Sequence, residues 1–439
     1  MLLPLTIVDK GDERMVDEYW GEIKDPVHGY IYITEAEKEI IDSYPFQRLR
    51  RIRQLAGSEY VYPGANHTRF EHSLGVMYLA GRVVENRNIS RVIGRDEAEM
   101  VRIAALLHDV GHGPFSHVFE HVLIKRLNKT HEDMTSWLIR ESELRDIISD
   151  MGYDVETIAK LAVGKLAGGK IFLNQIISSA VDVDKLDFVV RDTYHTGAEY
   201  GFVDVFRLIQ TFDVFDGNLA VDLGAISTLE AFIMARMESF KSIYFHRVGR
   251  AAQIMLAMAL EEADEEIGLT GFKTPEEYLA MDDYVVWSLL KECEKSRAII
   301  GNLERRRMLK CAYEQVFYVR DKTVTNIFSA EEFRNQIRDR IAKRANIDPD
   351  KIVIDVPTVP SVPYYHSILM EPMEIPVICR SHDGRKELKR LSEISGIFDV
   401  LRGFVNILRV YTDEENRKIV SKAAMDVLGG IPSSAKISF

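Results

Sequence analysis

The segment from residue 108 to residue 117 constrains the fold more than any other part of the chain, because it ends a helix and gathers ionisable side chains there. Its sequence is HDVGHGPFSH, and it follows a largely apolar run over residues 100–107. The glycines and the proline stop regular structure just after that run. Adjacent His108 and Asp109 can ligate one divalent ion through nitrogen and oxygen. The pattern therefore predicts a metal site at the end of a buried helix.

Histidines are concentrated around this segment. Seven of the chain's 12 histidines lie between His67 and His131. The ordinary interpretation is that such residues are core histidines with satisfied ring nitrogens, or solvated surface residues. Random scatter seldom produces this crowding, so we favour a functional cluster over that alternative.

Size and composition limit the classes of protein that this chain can be. Its 439 residues, 46% hydrophobic and 28% charged, predict a large globular domain with a smaller one, or about three small domains. The net charge of −12 disfavours extended nucleic-acid binding but leaves room for small anionic ligands. No apolar run reaches the ~18 residues of a membrane span, and the N-terminus lacks the features of a signal peptide. Three scattered cysteines predict neither disulfides nor a cysteine-rich zinc site, so we expect a cytoplasmic protein.

Periodicity predicts a mainly α fold. We predict helices over residues 68–87, 97–108, 130–140 and 174–191, and one or two more over residues 229–262. Thr130 is the predicted N-cap of the third helix. Short β-branched segments at residues 316–324, 351–356, 376–380 and 407–411 predict strands. The expected architecture is an all-α helical body over residues 1–315 and a small C-terminal α+β subdomain over residues 316–439.

A metal bound only by His108 and Asp109 would lack ligands, so further donors must come from elsewhere. His72 lies near the start of the preceding predicted helix. Asp182 and Asp184 lie in an otherwise apolar predicted helix, where a carboxylate must be paired or bound to a cation. A set of two histidines and two aspartates suits Mn²⁺, Fe²⁺, Zn²⁺ or Mg²⁺ and does not choose among them.

The polar residues near these candidate ligands favour phosphate hydrolysis. A bound metal lowers the pKa of water and neutralises charge on phosphorus. Arg69 and Lys185 can hold phosphate oxygens. The residues that can supply acid, base and electrostatic roles are His112, His117, His131 and Glu132. Since the chain has no glycine-rich phosphate loop or dinucleotide motif, hydrolysis of a phosphate ester or anhydride is the favoured chemistry.

Two basic clusters stand apart from this set. They are Arg48, Arg50, Arg51 and Arg53, and then Arg305, Arg306, Arg307 and Lys310. Runs of charge are usually solvated helix faces, and binding of a small anion is the alternative.

The candidate ligands form the pattern of a known family. His72, the pair His108-Asp109 and Asp184 match the H…HD…D arrangement of the HD-domain metal-dependent phosphohydrolases. Four segments, HTRFEHSLGV, HDVGHGPFSH, THE and DVDKLD, resemble the deoxynucleoside triphosphate (dNTP) triphosphohydrolases within that family. The resemblance is strongest to the catalytic part of members that combine a SAM domain with an HD domain, and we expect no SAM domain here. It implies an all-α HD-domain helical body.

This resemblance implies hydrolysis of dNTPs at the α-phosphorus, which releases a deoxynucleoside and inorganic triphosphate. The implied metal ligands are His72, His108, Asp109 and Asp184. His117 resembles the general acid that protonates the leaving 5′-oxygen. The other polar residues placed around the attacking water are His112, His131 and Glu132.

The resemblance also implies substrate contacts. The triphosphate and sugar contacts would be Gln54, Arg69, Lys185, Asp192, Arg236 and Tyr244. Phe245 stands where the family often has glutamine, and Phe188 where it often has tyrosine. Both differences bear on the contacts to the sugar and the base.

A nucleotide activator site is the last feature that the resemblance implies. The positions that would read guanine, from GTP or dGTP, are Asp42, Gln47 and Arg50, and the phosphate contacts are Arg306 and Lys310. A lysine of the family is replaced here by Gly21 or Glu22. The family forms dimers, tetramers or hexamers, so we expect a homo-oligomer, most simply a dimer or tetramer.

Two other functions fit the same residues. The metal site can act on another nucleotide, such as a monophosphate, a cyclic nucleotide or a nucleic-acid end. A non-enzymatic nucleotide sensor on the same scaffold is the second alternative. The presence of His117 and Glu132 beside a complete ligand set argues against a pure binder, which needs no acid.

Overall fold

Helices make up most of the described chain. The computed structural model describes residues 19–168, 170–319, 330–360, 376–380, 385–397 and 404–429. The helices are α1 (Glu35–Asp42), α2 (Tyr44–Arg48), α3 (Arg69–Val84), α4 (Arg95–Leu107), α5 (His117–Leu127), α6 (His131–Glu141), α7 (Leu144–Asp150), α8 (Val155–Ala162), α9 (Ile171–Ile177), α10 (Val183–Thr196), α11 (Val205–Gln210), α12 (Ile226–Ser239), α13 (Arg247–Ile267), α14 (Pro275–Leu279), α15 (Asp283–Glu292), α16 (Arg297–Glu304), α17 (Glu331–Ala345), α18 (Leu391–Ile394) and α19 (Arg417–Leu428).

The described strands form three small sheets. The strands are β1 (Tyr19–Asp25), β2 (Gly29–Thr34), β3 (Phe212–Phe215), β4 (Asn218–Asp222), β5 (Lys310–Val319), β6 (Val353–Asp355), β7 (Thr358–Pro360), β8 (Pro376–Arg380), β9 (Lys386–Arg390) and β10 (Phe404–Thr412). β1 and β2 form an antiparallel hairpin. The second sheet has the order β3-β4-β8-β9, and its β4–β8 pair is parallel. In the third sheet, β10 pairs antiparallel with β5 and also with β6 and β7.

A large apolar core holds the helical body together. α3 packs against α4 and α10, and α4 also packs against α8. The last turn of α4, residues 104–107, is wholly buried. Because α4 ends inside the protein, the residues that follow it, His108 and Asp109, are buried too. The predicted position of His108 and Asp109 at the end of a buried helix is therefore confirmed.

Most of the predicted helices are present, and one prediction is wrong. Thr130 caps α6 as predicted: its hydroxyl accepts from the Asp133 amide at 3.3 Å. The single helix predicted over residues 174–191 is instead α9 and α10. The chain breaks between them because Asp182 accepts hydrogen bonds from the backbone amides of Ser179 and Lys185, at 2.7 and 2.8 Å, and so starts a new helix. The predicted span 229–262 contains α12, a π-helix at Phe240–Tyr244 and α13.

The C-terminal part has a second core, in which α17 and α19 pack on strands β5 and β6. The mainly α fold with a small α+β part is thus confirmed. The strand predicted at residues 316–324 begins earlier, at Lys310, and residues 320–324 lie outside the described part. The strand predicted at 351–356 is shortened to β6, while those at 376–380 and 407–411 are present in β8 and β10. The boundary at residue 315 stays a prediction.

No helix in the described ranges combines the length and the apolar character that crossing a bilayer requires.

Candidate metal centre and histidine cluster

Three helices bring the four predicted ligands together. His72 lies in α3, His108 and Asp109 follow α4, and Asp184 lies in the first turn of α10. The Nε2 atom of His72 is 3.1 Å from Asp184 Oδ1 and 3.6 Å from Asp109 Oδ2. The Nε2 atom of His108 is 3.4 Å from Asp109 Oδ1 and 3.8 Å from Asp184 Oδ1. His72, His108 and Asp109 could therefore share one ion, and Asp184 lies beside both histidines.

The geometry of His108 fits a metal ligand. Its Nδ1 atom lies 2.8 Å from the carbonyl oxygen of Ala105, which fixes the hydrogen on that nitrogen. Its Nε2 atom is buried and has no hydrogen-bond partner. A buried polar atom without a partner is costly, so we expect this nitrogen to have a partner such as a metal ion. One ligand atom each from His72, His108 and Asp109 lies within 4.8 Å of the others.

The charge of the centre also fits a cation. Burial alone lowers the pKa of His72, but its hydrogen bonds to Asp184 and Asp187 outweigh burial and raise that pKa to about 10. The pKa of Asp184 falls to about 2, because the neighbouring imidazoles His72 and His108 outweigh its burial. The carboxylates thus stabilise positive charge at the place where a divalent ion would bind.

A buried carboxylate, Asp187, orients His72 from behind. Its Oδ2 atom lies 2.8 Å from His72 Nδ1, and its Oδ1 atom lies 2.6 Å from His28 Nε2. Arg191 donates to both oxygens of Asp187, at 2.8 and 3.0 Å, and also to Asp25 at 2.8 Å. The hairpin β1–β2 is thereby tied to the centre. Sequence reasoning assigned no role to this network, although the i,i+4 spacing of Asp187 and Arg191 was a usable signal.

Next to the metal centre lies a cluster of three imidazoles, those of His112, His117 and His131. The rings of His112 and His131 stack at 4.0 Å with an angle of 15° between their planes. His112 Nε2 is 3.3 Å from Asp109 Oδ1, so Asp109 touches both the centre and the cluster. His117 is the most open of the three, with 67% of its side chain exposed.

The carboxylate that serves this cluster is Glu120. Its two oxygens lie 2.8 Å from His117 Nδ1 and 2.5 Å from His131 Nδ1. The sequence had instead indicated Glu132 as the acidic residue among the polar groups around the attacking water. Glu132 instead pairs with Lys165 at 2.7 Å, and its catalytic role stays a prediction. The signal for Glu120 was its position three residues after His117, on the same face of α5.

The pKa values of His112 and His131 are shifted in opposite directions. Burial, the charge of Arg69 and the charge of His131 lower the pKa of His112 well below its usual value, so His112 is neutral. Burial lowers the pKa of His131 too, but Glu120 outweighs it and raises that pKa. The pKa of Glu120 falls despite its burial, because both histidines stabilise its charged form. The surroundings thus favour the neutral form of His112 and the protonated form of His131.

The stacked geometry suits proton transfer better than metal binding. The three imidazoles are close enough to hold an ion by distance alone. A metal lies in the plane of the ring that ligates it, and the planes of His112 and His131 are nearly parallel and 4.0 Å apart. One ion cannot lie in both planes. We therefore assign the metal to the other group, which contains His72 and His108.

The predicted phosphate contacts take different partners. Arg69 forms an ion pair with Asp109, and its Nε donates to Ser116 Oγ at 2.7 Å. It therefore lies between the centre and the turn that carries His112. Lys185 donates to Asp182 at 2.7 Å, so its ammonium is paired within its own helix end.

The predicted sugar contacts lie together. Tyr244 donates to Asp192 Oδ2 at 2.5 Å, and His67 Nε2 lies 2.7 Å from Asp192 Oδ1. The side-chain oxygen of Gln54 is buried without a partner. Burial lowers the pKa of Arg236 to about 10, although Tyr244 and nearby carboxylates raise it. Sequence reasoning assigned no role to His67, whose ring stacks on that of His195 at 4.4 Å.

The predicted activator residues fall into two groups, which do not contact each other within the described ranges. Arg50 donates to Gln47 at 2.9 Å and lies 3.5 Å from the ring centre of Phe70. Asp42 is exposed and pairs with Lys38 at 3.1 Å. In the second group, Arg306 donates to the carbonyl oxygen of Tyr60 at 3.4 Å, and Lys310 lies 3.5 Å from Glu414.

Comparison with known proteins agrees with this site. Residues 69–187 match the family described as HD domain, and residues 203–437 match the family described as HD associated region. The first match begins at Arg69 and ends at Asp187, so it encloses all four predicted ligands. The chain belongs to the HD-domain phosphohydrolase family.

Two relatives and one solved structure show how far this similarity extends. A protein of Dictyostelium discoideum named deoxynucleoside triphosphate triphosphohydrolase SAMHD1 homolog is 34% identical over 66% of this chain and 59% of its own length. An uncharacterised protein of Methanocaldococcus jannaschii is 34% identical over 66% of this chain and 58% of its own length. The chain thus spans somewhat less than two thirds of these relatives. A solved structure of a hypothetical protein from Aquifex aeolicus is similar over 92% of this chain and 99% of its own length, with a TM-score of 0.75 and 29% identity.

Proposed function

We propose that this HD-domain hydrolase cleaves dNTPs at the α-phosphorus into a deoxynucleoside and inorganic triphosphate. The observation that carries the proposal is the position of Asp109. Its Oδ1 atom lies 3.4 Å from Nε2 of His108, another predicted metal ligand, and 3.3 Å from Nε2 of His112 in the histidine cluster. A phosphate bound at the metal centre therefore lies within reach of groups that transfer protons. The dNTP specificity is supported by the name of the Dictyostelium relative and by the motifs shared with that family.

The ligand set would hold one divalent ion through His72, His108, Asp109 and Asp184. When bound, such an ion neutralises charge on the phosphate and makes a water molecule more acidic. Asp187 holds the ring of His72 in position for this role.

Proton transfer falls to the histidine cluster. His117 is open to substrate, and its Nδ1 is engaged by Glu120, so Nε2 is available to protonate the leaving 5′-oxygen. His131, whose protonated form Glu120 favours, can place positive charge beside that oxygen and the phosphate. Neutral His112 lies between His131 and Asp109 and can orient a water molecule through its unpartnered Nδ1.

Substrate binding is assigned to residues on either side of the centre. Arg69 has five N–H donors and can share them between Asp109, Ser116 and a phosphate oxygen. The unpartnered oxygen of Gln54 and the hydrogen-bonded pair Asp192–Tyr244 can form hydrogen bonds with the sugar. Arg236 is buried, its Nε has no hydrogen-bond partner, and it can bind the triphosphate.

Activation by GTP or dGTP and assembly into a homo-oligomer are parts of the same proposal. Gln47 and Arg50 lie next to each other, since Arg50 donates to Gln47, so both could face one base. Arg306 and Lys310 belong to another part of the chain, so a nucleotide bound by all of these residues would need them to approach, within one subunit or between two. A change in oligomer size on adding GTP, measured by light scattering, tests this part.

The test of the reaction is product analysis. The pure protein is incubated with Mn²⁺ and each dNTP in turn, with and without GTP, and the products are separated by ion chromatography. Inorganic triphosphate and deoxynucleoside in equal amounts support the proposal. Absence of triphosphate in every combination would overturn it. Release of a monophosphate instead would identify the alternative, a phosphohydrolase acting on another nucleotide.

A further inference from the structure

The turn of residues 111–116, here called the histidine turn, carries His112 and leads into His117 at the start of α5. Two consecutive residues in it, Phe115 and Ser116, have φ angles of 59° and 55°. This left-handed region is unfavourable for residues with a side chain, and a pair of such residues persists only where surrounding contacts hold it. The turn is also tightly packed, since a Cβ atom on Gly111 would lie 2.0 Å from the backbone nitrogen of Thr135.

A buried arginine and a buried tyrosine hold the first part of the turn. Arg48 is fully buried; its Nη1 donates to the carbonyl oxygen of His112 at 2.9 Å and its Nε donates to that of Met281 at 2.8 Å. The hydroxyl of Tyr278 donates to the carbonyl oxygen of Gly111 at 2.7 Å. The ring of Tyr278 also lies 5.1 Å from the Arg48 guanidinium. Two successive carbonyl groups of the turn are therefore fixed from one side.

An aspartate holds the strained part of the turn. Asp283 Oδ1 accepts from the amide of Phe115 at 2.7 Å, and Oδ2 accepts from the amide of Arg53 at 3.0 Å. The hydroxyl of Ser116 donates to the carbonyl oxygen of Arg53 at 2.6 Å and accepts from Arg69. Asp283 thus fastens the turn to the segment that follows α2, and Ser116 extends this link to a candidate phosphate contact.

Burying the charged side chains of Arg48 and Asp283 costs free energy, so simple packing does not account for them. Burial lowers the pKa of Arg48, and its hydrogen bonds to the carbonyl oxygens of Met281 and His112 involve no carboxylate. Burial also raises the pKa of Asp283 to about 6, against two backbone amides that favour its charged form. Apolar residues of similar size would often stabilise a core better than buried charges. A buried arginine on one side of the turn and a buried aspartate on the other therefore indicate that the shape of the turn matters.

We propose that Arg48, Tyr278 and Asp283 are positioning residues, which hold the histidine turn so that His112 and His117 meet the substrate in a fixed geometry. Tyr278 and Asp283 lie within the HD-associated region, outside the residues that match the HD domain. That region thereby completes the site that the HD domain carries. For its effect on turnover, this inference rests on the proposed function.

The first experiment measures the turn itself and needs no activity. Hydrogen exchange of the peptide covering residues 111–116 is compared in the wild type and in Asp283→Ala, Asp283→Asn and Tyr278→Phe. The matched control is Asp282→Asn, because Asp282 caps the same helix, α15, and contacts Arg51 but not the turn. Exchange should rise on the order of 10-fold in Asp283→Ala, as expected for a lost hydrogen bond to a charged group, and less in the other two variants. Exchange equal to that of the control in all three would overturn the proposal.

The second experiment measures dNTP turnover in the same proteins with Mn²⁺. We expect kcat to fall by about 10- to 100-fold in Asp283→Ala, with KM and Mn²⁺ affinity close to those of the wild type, because the turn is displaced while the ligand set is untouched. The partial variants Asp283→Asn and Tyr278→Phe should retain intermediate activity. A fall in Mn²⁺ affinity, or a kcat no lower than that of Asp282→Asn, would contradict positioning. If the wild type hydrolyses no dNTP, the proposed function fails. The hydrogen-exchange experiment alone then decides whether Arg48, Tyr278 and Asp283 position the turn.

Discussion

The metal centre and the histidine cluster lie side by side and are built in opposite ways. The centre is assembled from three packed helices, and its ligand His72 is held by the buried network of Asp187, Arg191 and His28. The cluster depends on a strained turn that is held by contacts from other parts of the chain. Its histidine His117 is largely exposed. A candidate ion site built by packed helices is thus joined to a candidate proton-transfer site held by long-range contacts to one turn, and the two should respond differently to substitution.

The largest effect is expected in the centre. Asp184→Ala or His108→Ala should abolish Mn²⁺ binding and turnover together, because each removes a ligand that no nearby group replaces. Isothermal titration with Mn²⁺ and a product assay measure both. Activity that survives loss of the metal would contradict the assignment of the centre.

The next effect is expected in the cluster and separates the two regions. His117→Ala should leave Mn²⁺ binding intact and slow turnover on the order of 100-fold or more, the usual contribution of a positioned acid. His121→Ala is a matched control, since His121 is an exposed histidine on the same helix that pairs with Glu261. Equal rates for the wild type and His117→Ala would remove His117 from the mechanism.

A smaller effect should follow from weakening the support of the centre. Asp187→Asn keeps the size of the side chain and loses the charge that orients His72, so Mn²⁺ affinity should fall by about 10- to 100-fold. His28→Gln, which alters one contact to Asp187, should cause a lesser loss. Unchanged affinity in both variants would show that the helices alone hold His72.

The smallest effect concerns stability and depends on pH. The pKa of Glu120 is below its ordinary 4.5 in the folded protein, so its contribution is present above pH 4.5 and lost as the pH falls. The pKa of His131 is above its ordinary 6.5, so its contribution is present below pH 6.5 and lost as the pH rises through the folded value. Glu120→Gln should therefore lower the Tm most between these two values. A Tm difference that is constant with pH would contradict the charged pair.

Much of this arrangement could be predicted from the sequence. The predicted ligands His72, His108 and Asp109 lie in or at the ends of strongly apolar helices, where a polar residue is costly unless it is paired or bound. The glycines between the histidines indicated the turn. The break before α10 was missed because Asp182 was interpreted as a candidate ligand, whereas its side chain caps the helix. Local capping and metal binding use the same residue types, so the sequence pattern alone did not separate them.

The contacts that hold the site were harder to predict. Glu120 lies three residues after His117, and local spacing could have found it. Asp283 and Tyr278 lie more than 160 residues from the turn that they contact. No periodicity or spacing connects such distant segments, so only the packed fold shows that they meet.

Anomalous diffraction at the manganese edge, on crystals grown with Mn²⁺, tests the central comparison most directly. The account predicts a peak within coordination distance of His108 Nε2 and of the carboxylate of Asp184, and no peak among His112, His117 and His131. A peak among those three histidines, or none at His108, would contradict the division between a metal centre and a proton-transfer cluster.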